Sequence, residues 1–417
     1  MKYDIFFSIC QTEVDGYLPS ERVMWENFFD QVKLADQLGF GTAWLAETHL
    51  SCQIQKENPG AVIPHFKGEI GLNTDILQLA HLIFAQTKNL NVGSAIRNIL
   101  CNGGPIAHAE AVKTFLTLHG LNNNESRVLE LGFAAGRFPF SYSAYGIKPR
   151  DQLEEVAWDV IKNKVFQEAT LLFLRLLRGD CIASHEIGPL YLRPNDFRDP
   201  VVWEKVKLLA KEDQKRWQGD QILHLPFFVF EKVGVIPFEA PMSLLRLTIG
   251  SHDSETQKLA NEILPTGVFN LSITPGEVIE ETHCRMKKDF HPSGGAWTRA
   301  HMPRTALIFL EGSEDLSLEK QSAAARSQAQ KAWQNYWVAM EKTLDPKKVA
   351  HAVENSIAGN PEEVAQAIVK KYHPEDRLML WFDFNNHNNA KIKESMKIFM
   401  EQVRPRVAQL LKESAGS

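Results

Sequence analysis

The feature that most constrains this chain is an alternation. Short apolar, β-rich runs are each followed by a stretch whose apolar residues recur at helical spacing. Tyr3–Cys10 is the first run, and Ser20–Leu38 follows it with Val23, Met24, Phe28, Val32, Leu34, Ala35 and Leu38 at helical intervals. Gly39 stops that helix, and Gly41–Ala46 reads as the second strand. A polar loop with Pro59, Gly60 and Pro64 leads to a helix over about Thr74–Thr87, then to a third strand at Leu90–Ile96. Pro105 sits at the start of the next helix, over 104–120, where a missing N–H costs nothing. Arg127–Phe133 is the fourth strand, and helical sequence runs from Arg150 to Arg178.

Residues 180–240 break the pattern. They are rich in proline, tryptophan and charge, and read as an insertion. Alternation then resumes with strands at Ser243–Gly250, Gly267–Ile273, Thr305–Leu310 and Leu378–Phe384. Thr274-Pro275-Gly276-Glu277 and Asn360-Pro361-Glu362-Glu363 each offer a cap, a proline in the first helical position and a glutamate three residues after the cap. Eight strands followed by helices suit either a barrel or an open doubly wound sheet. No Gly-x-Gly-x-x-Gly turn follows the first strand, which favours an α/β chain folded as a (β/α)₈ TIM barrel. The expectation is one domain over 1–417, with the insertion near the barrel mouth. His283–Pro303, with Gly294, Gly295 and Trp297, reads as a mobile loop after the sixth strand, suited to a lid.

The net charge of −5, with both signs well mixed, argues against a nucleic-acid partner. Asp4 interrupts the first apolar run, and no stretch approaches the roughly 18 apolar residues of a membrane span, so a cytoplasmic protein is expected. The five cysteines are scattered and form neither a disulfide framework nor a metal motif. His283, Cys284 and His291 lack a fourth ligand at sensible spacing.

Several segments resemble, in order, the bacterial luciferase-like flavin monooxygenase family. Ala35-Asp36-Gln37-Leu38-Gly39-Phe40-Gly41-Thr42-Ala43-Trp44-Leu45-Ala46-Glu47-Thr48-His49 is similar to its first helix end and second strand. Leu90-Asn91-Val92-Gly93-Ser94-Ala95 and Gly104-Pro105-Ile106-Ala107-His108-Ala109-Glu110 resemble its third strand and the helix after it. Glu130-Leu131-Gly132-Phe133-Ala134-Ala135-Gly136 looks like its fourth strand and flavin-side loop, and Gly359-Asn360-Pro361-Glu362-Glu363-Val364 like a closing element. Two departures stand out. Thr48 occupies a place where luciferase has a histidine, and Ala134-Ala135 replaces its Cys-Arg pair, so light emission is not implied. Arg137 is then the candidate to replace the missing arginine.

The resemblance implies reduced FMN as cofactor, dioxygen as co-substrate, a small organic substrate, a separate flavin reductase and a homodimer. It assigns proton handling to His49 and Thr48. It sets Ser94, Ala95, Asn98, Ala134, Arg137, Ser251, His252 and Ser254 around the flavin. The residues carry part of this on their own. A histidine beside Glu47 at a strand end can move protons, and Gly250–Thr256, opening a helix, offers hydroxyls and free N–H groups to a phosphate. Helix capping by Asp253 or Ser254 explains the same residues without a ligand. Two other readings stay open: a deazaflavin-dependent hydride-transfer oxidoreductase, and a non-catalytic flavin-binding barrel.

Overall fold

The computed structural model describes residues 1–57, 65–136, 138–213, 215–339, 353–354 and 356–415. Its elements follow the alternation read from the sequence. They are β1 (Lys2–Phe7), α1 (Glu21–Leu38), β2 (Thr42–Leu45), α2 (Ile76–Gln86), β3 (Asn91–Asn98), α3 (Gly104–His119), β4 (Leu129–Ala134) and α4 (Trp158–Arg178). After the excursion come β5 (Leu245–Ile249), α5 (Ser254–Asn261), β6 (Thr266–Val268), α6 (Gly276–Asp289), β7 (Arg304–Leu310) and α7 (Leu318–Ala339). The chain closes with α8 (Pro361–Lys371), β8 (Arg377–Trp381), α9 (Asn389–Ile398) and α10 (Arg404–Ala415).

The eight strands lie side by side and parallel, in the order β7-β8-β1-β2-β3-β4-β5-β6, and Ile357–Gly359 adds to the end of β7. Asn270, just past β6, closes the ring. Its N–H donates to Pro303 O at 2.9 Å, and its carbonyl accepts from Thr305 N at 3.0 Å. Strand alternation turns every second side chain inward. At the N-terminal end this buries Asp4, Thr42 and Glu130 around Arg377. One layer up, Phe6, Trp44, Phe269 and Met379 form an apolar plug. The helices cover the outside. Ser20 caps α1 by accepting from Val23 N, and Gly39 ends it in the left-handed conformation.

The segment 180–240 is an excursion on the outside of the barrel, with a helix at Pro200–Glu212 and a small antiparallel sheet. Buried Glu168 of α4 anchors it by accepting from Phe227 N at 3.0 Å, Phe228 N at 2.9 Å and His224 Nε2 at 3.3 Å. Its far turn reaches the C-terminal end of the strands. There Arg150 donates to Leu225 O and Pro226 O, and Phe228 packs on Gly104.

The segment 283–303 is a correction to the sequence reading. His283–Asp289 is the second half of α6, and the remainder returns from that helix to β7. A helix-to-strand connection lies at the N-terminal end of a barrel, away from the mouth. Trp297 is buried, and Arg299 is clamped between Glu280 at 2.7 Å and Asp376 at 2.5 Å. The expected lid is therefore absent here, because the helix of Gly276–Asp289 takes up the first third of the segment. Beside the mouth stand residues from two other connections and from α7. Phe66, Phe138 and Tyr336 cluster with Ala339, and Trp333 and Tyr336 of α7 pack on Phe384.

Candidate active site

Past the end of β2 the chain turns sharply, held by Asn73. Its amide donates to Ala46 O at 2.9 Å, and its carbonyl accepts from Thr48 N at 3.0 Å. The turn drives Glu47 inward until its side chain is fully buried. A bare carboxylate there would be costly, and three groups compensate. Ile76 N, in the first turn of α2, donates at 3.1 Å, a position where the helix end favours negative charge. His49 Nε2 lies at 3.1 Å, and Arg97 Nη1 at 3.5 Å. Asp75, the N-cap of α2, lies 3.6 Å from the same guanidinium nitrogen, so one buried arginine serves two carboxylates.

Arg97 is oriented from its other side by His108 of α3, a residue whose role the sequence does not display. Arg97 Nε donates to His108 Nδ1 at 2.8 Å, and His108 Nε2 faces Cys101 O at 2.9 Å. That pattern requires a neutral ring carrying its proton on Nε2. Burial first, and then the Arg97 charge, push its pKa down to about 3. The line His108–Arg97–Glu47–His49 therefore ends on Nε2 of His49.

His49 and Thr48 open onto a cavity of about 410 Å³ at the C-terminal end of the strands. Of the residues expected around the cofactor, Ala95, Asn98, Ala134 and His252 line it, together with Ile96, Phe138, Ser141, Phe269 and Leu271. The latter five carry no signature in the sequence, because four are single apolar residues and the fifth, Ser141, is a lone hydroxyl at no telling spacing. Asn98 donates to Ser141 Oγ at 3.1 Å and accepts from Leu100 N at 2.9 Å. Gly136 runs against that amide with φ of 75°, and a Cβ there would sit 2.1 Å from Asn98 Nδ2.

Ser94, Ser251 and Ser254 are not among the lining residues. Ser94 alternates away from the barrel axis and is fully buried. Ser251 Oγ accepts from Asp253 N at 3.2 Å, and Ser254 is exposed. Asp253 caps α5 by accepting from Thr256 N at 2.9 Å and from the Thr256 hydroxyl. The helix start is thus already supplied with an anion, as the capping alternative requires. Burial, and then the Arg285 guanidinium, hold the His252 imidazole below its ordinary value. Arg137 lies outside the described residues.

A flat aromatic ring system fits this geometry. Phe269 and the apolar plug form the base, Ala95, Ile96 and Ala134 are small or flexible walls, and Asn98 and Ser141 supply polar edge groups.

The family model described as Luciferase-like monooxygenase matches residues 2–186. No curated protein matches the sequence. Among solved structures, the monooxygenase RslO1 from Streptomyces bottropensis is 16% identical, with a TM-score of 0.64 over 97% of this chain and 99% of that one. The oxygenating constituent of 3,6-diketocamphane monooxygenase from Pseudomonas putida, in complex with FMN, is 13% identical, with a TM-score of 0.55 over 98% and 99%. An F420-dependent secondary alcohol dehydrogenase is 14% identical, with a TM-score of 0.52 over 97% and 98%. At these identities the likeness is one of fold.

Proposed function

We propose, from the premise that this chain is a luciferase-like monooxygenase family member across residues 2–186, that it is a flavin-dependent oxidoreductase using reduced FMN and dioxygen on a small organic substrate. The observation that carries this is the pairing of an apolar, ring-sized cavity with a histidine braced by a fully buried glutamate at the ends of barrel strands. Ala95, Ile96, Asn98, Ala134 and Ser141 would hold the ring, and His252 would close one side. The bound flavin supplies the electrons and the reaction with oxygen. The protein's part is to orient the ring, exclude water beneath Phe138 and Tyr336, and move a proton at His49. Thr48 shares a hydrogen bond with Ser51 and contributes a hydroxyl at the same edge. A separate reductase delivers the reduced flavin in this reading, by analogy with the oxygenating constituent above.

The test is binding followed by turnover. Anaerobic titration should show saturable binding of reduced FMN, and a substrate panel under isotopically labelled dioxygen should yield labelled product. His49→Ala should leave FMN affinity nearly intact and slow turnover about 10²–10⁴-fold. The fold of the dehydrogenase neighbour favours one other reading, hydride transfer with a deazaflavin. Anaerobic turnover with reduced deazaflavin, and none with FMN and oxygen, would establish it instead. Flavin binding with no turnover under either condition would leave a non-catalytic barrel.

A further inference from the structure

At the end of the barrel opposite the mouth, a cavity of about 470 Å³ opens between the strand starts and α10. It shares Lys2, Glu130, Arg246 and Arg377 with a second cavity of about 360 Å³ beneath β5 and β6, so the two form one groove across the barrel floor. Three cations converge on the larger part: Lys2, Arg246 and Arg404. Among the described residues, Lys2 and Arg404 make no ion pair, and Arg246 comes only within 3.9 Å of Glu130. Two carboxylates face the same space, Asp4 and Glu130. Both are buried and held by Arg377, at 2.6 Å and 2.5 Å, with Trp44 and Thr42 as further donors.

Lys2 and Arg404, which make no ion pair among the described residues, and the loosely paired Arg246 give this concavity a positive field. Their field is felt by a neighbour. His301, on the second cavity, is held below its ordinary value by burial first, and also by the charges of Lys2, Arg246 and Arg377. The opposite wall is apolar, built from Met400, Val407 and Leu411.

We propose that this groove is a second ligand site, distinct from the mouth, for an organic anion with an apolar body and a carboxylate or phosphate head. The head lies among Lys2, Arg246 and Arg404, where ammonium and guanidinium groups give charge-assisted hydrogen bonds. The body lies against Met400, Val407 and Leu411 and gains from burial there. Nothing in this assignment depends on flavin binding at the other end.

The probes are naphthyl phosphate and naphthoate, with naphthol and inorganic phosphate as half-ligands, titrated by calorimetry into the whole protein. At least one naphthyl anion should bind saturably at one site, more tightly than either half-ligand, and more weakly as salt is raised. Arg246→Ala and Arg404→Ala alter exposed side chains, so the fold should persist, as circular dichroism can verify. Each should weaken the anion about three- to thirtyfold and leave naphthol unchanged. His49→Ala, at the other end of the barrel, should leave the affinity for the naphthyl anion as it is. Preference for phosphate over carboxylate, or the reverse, identifies the head group. Absence of saturable binding, equal affinity for naphthol, or binding indifferent to both arginines would overturn the proposal. Failure of FMN to bind while naphthyl anions still do would overturn the flavin reading alone.

Discussion

Asp383, two residues beyond β8, carries a charge that the fold does not want. One carboxylate oxygen accepts from Ser8 N at 3.0 Å, while the other is buried without a hydrogen-bond partner. Burial outweighs the Ser8 contribution and pushes its pKa up to about 6. The folded protein therefore binds this proton more tightly than the unfolded chain, whose aspartate titrates near the ordinary value of about 3.9. Stability from this group is fully present below about pH 4 and is lost as pH rises through about 6. The loss over that window amounts to at most about 3 kcal/mol. Asp383→Asn should raise stability at pH 7 and flatten this part of the pH profile, as denaturant unfolding between pH 4 and pH 7 would show. An unchanged slope in the variant would remove Asp383 as the cause. At this scale the sequence was only partly legible. Glu47 and His49 sit two residues apart after a strand, a local pattern that sequence displays. Arg97 and His108 join them only through the packing of α3 on β3, and Arg377 meets Glu130 across 247 positions. Partners that distant have no expression in spacing.

Elements were far more legible, because the signals that start and stop them are local. The Asn360 box forms as its sequence predicts. Asn360 Oδ1 accepts from Glu363 N at 3.0 Å, and Glu363 Oε2 accepts from Asn360 N at 3.3 Å. Asn360→Ala should cost about 0.5–2 kcal/mol, readable as a shift in the denaturation midpoint at unchanged slope. The equivalent reading at Thr274 slipped by one residue. Pro275 stands at the cap position of α6, and the Thr274 hydroxyl accepts from Leu271 N in the preceding turn. Proline fixes its own φ but not which neighbour becomes the cap, so the two sequences diverge despite sharing a pattern. Strand contacts impose demands that propensity alone conceals. Gly132 in β4 runs so close to β3 that a Cβ would lie 2.2 Å from Ser94 O, a backbone atom that cannot turn aside. Gly132→Ala should therefore destabilise by about 1–3 kcal/mol or more, as overpacking does. Equal unfolding midpoints for variant and parent would contradict this close approach.

At the scale of the whole molecule, the ring of strands joins both sides of the excursion. β4 pairs with β5 across more than a hundred residues, and Asn270 completes the closure. The closed barrel itself has no strand edge to offer a partner, and its outer surface is helical. Two of them keep apolar side chains in solvent after the fold is complete. Leu82 on α2 is 53% exposed, as is Leu118 on α3, and Leu121 just beyond α3 is 73% exposed. The inner faces of both helices are already buried, with Ile83 and Leu116 fully covered. These outer leucines are thus surplus to the core. α2 and α3 pack against each other, so the leucines belong to adjoining elements. A face of this kind on one copy meets the same face on another in a two-fold dimer, which is self-complementary by symmetry. The expected outcome is a homodimer through α2 and α3. Sedimentation velocity at micromolar concentration should give a dimer for the parent chain. A Leu82→Lys, Leu118→Lys double variant should give a folded monomer, because two buried charges per copy would then face their symmetry mates. A parent chain that sediments as a monomer would rule out the dimer. A double variant that still dimerises would move the interface elsewhere on the helical surface.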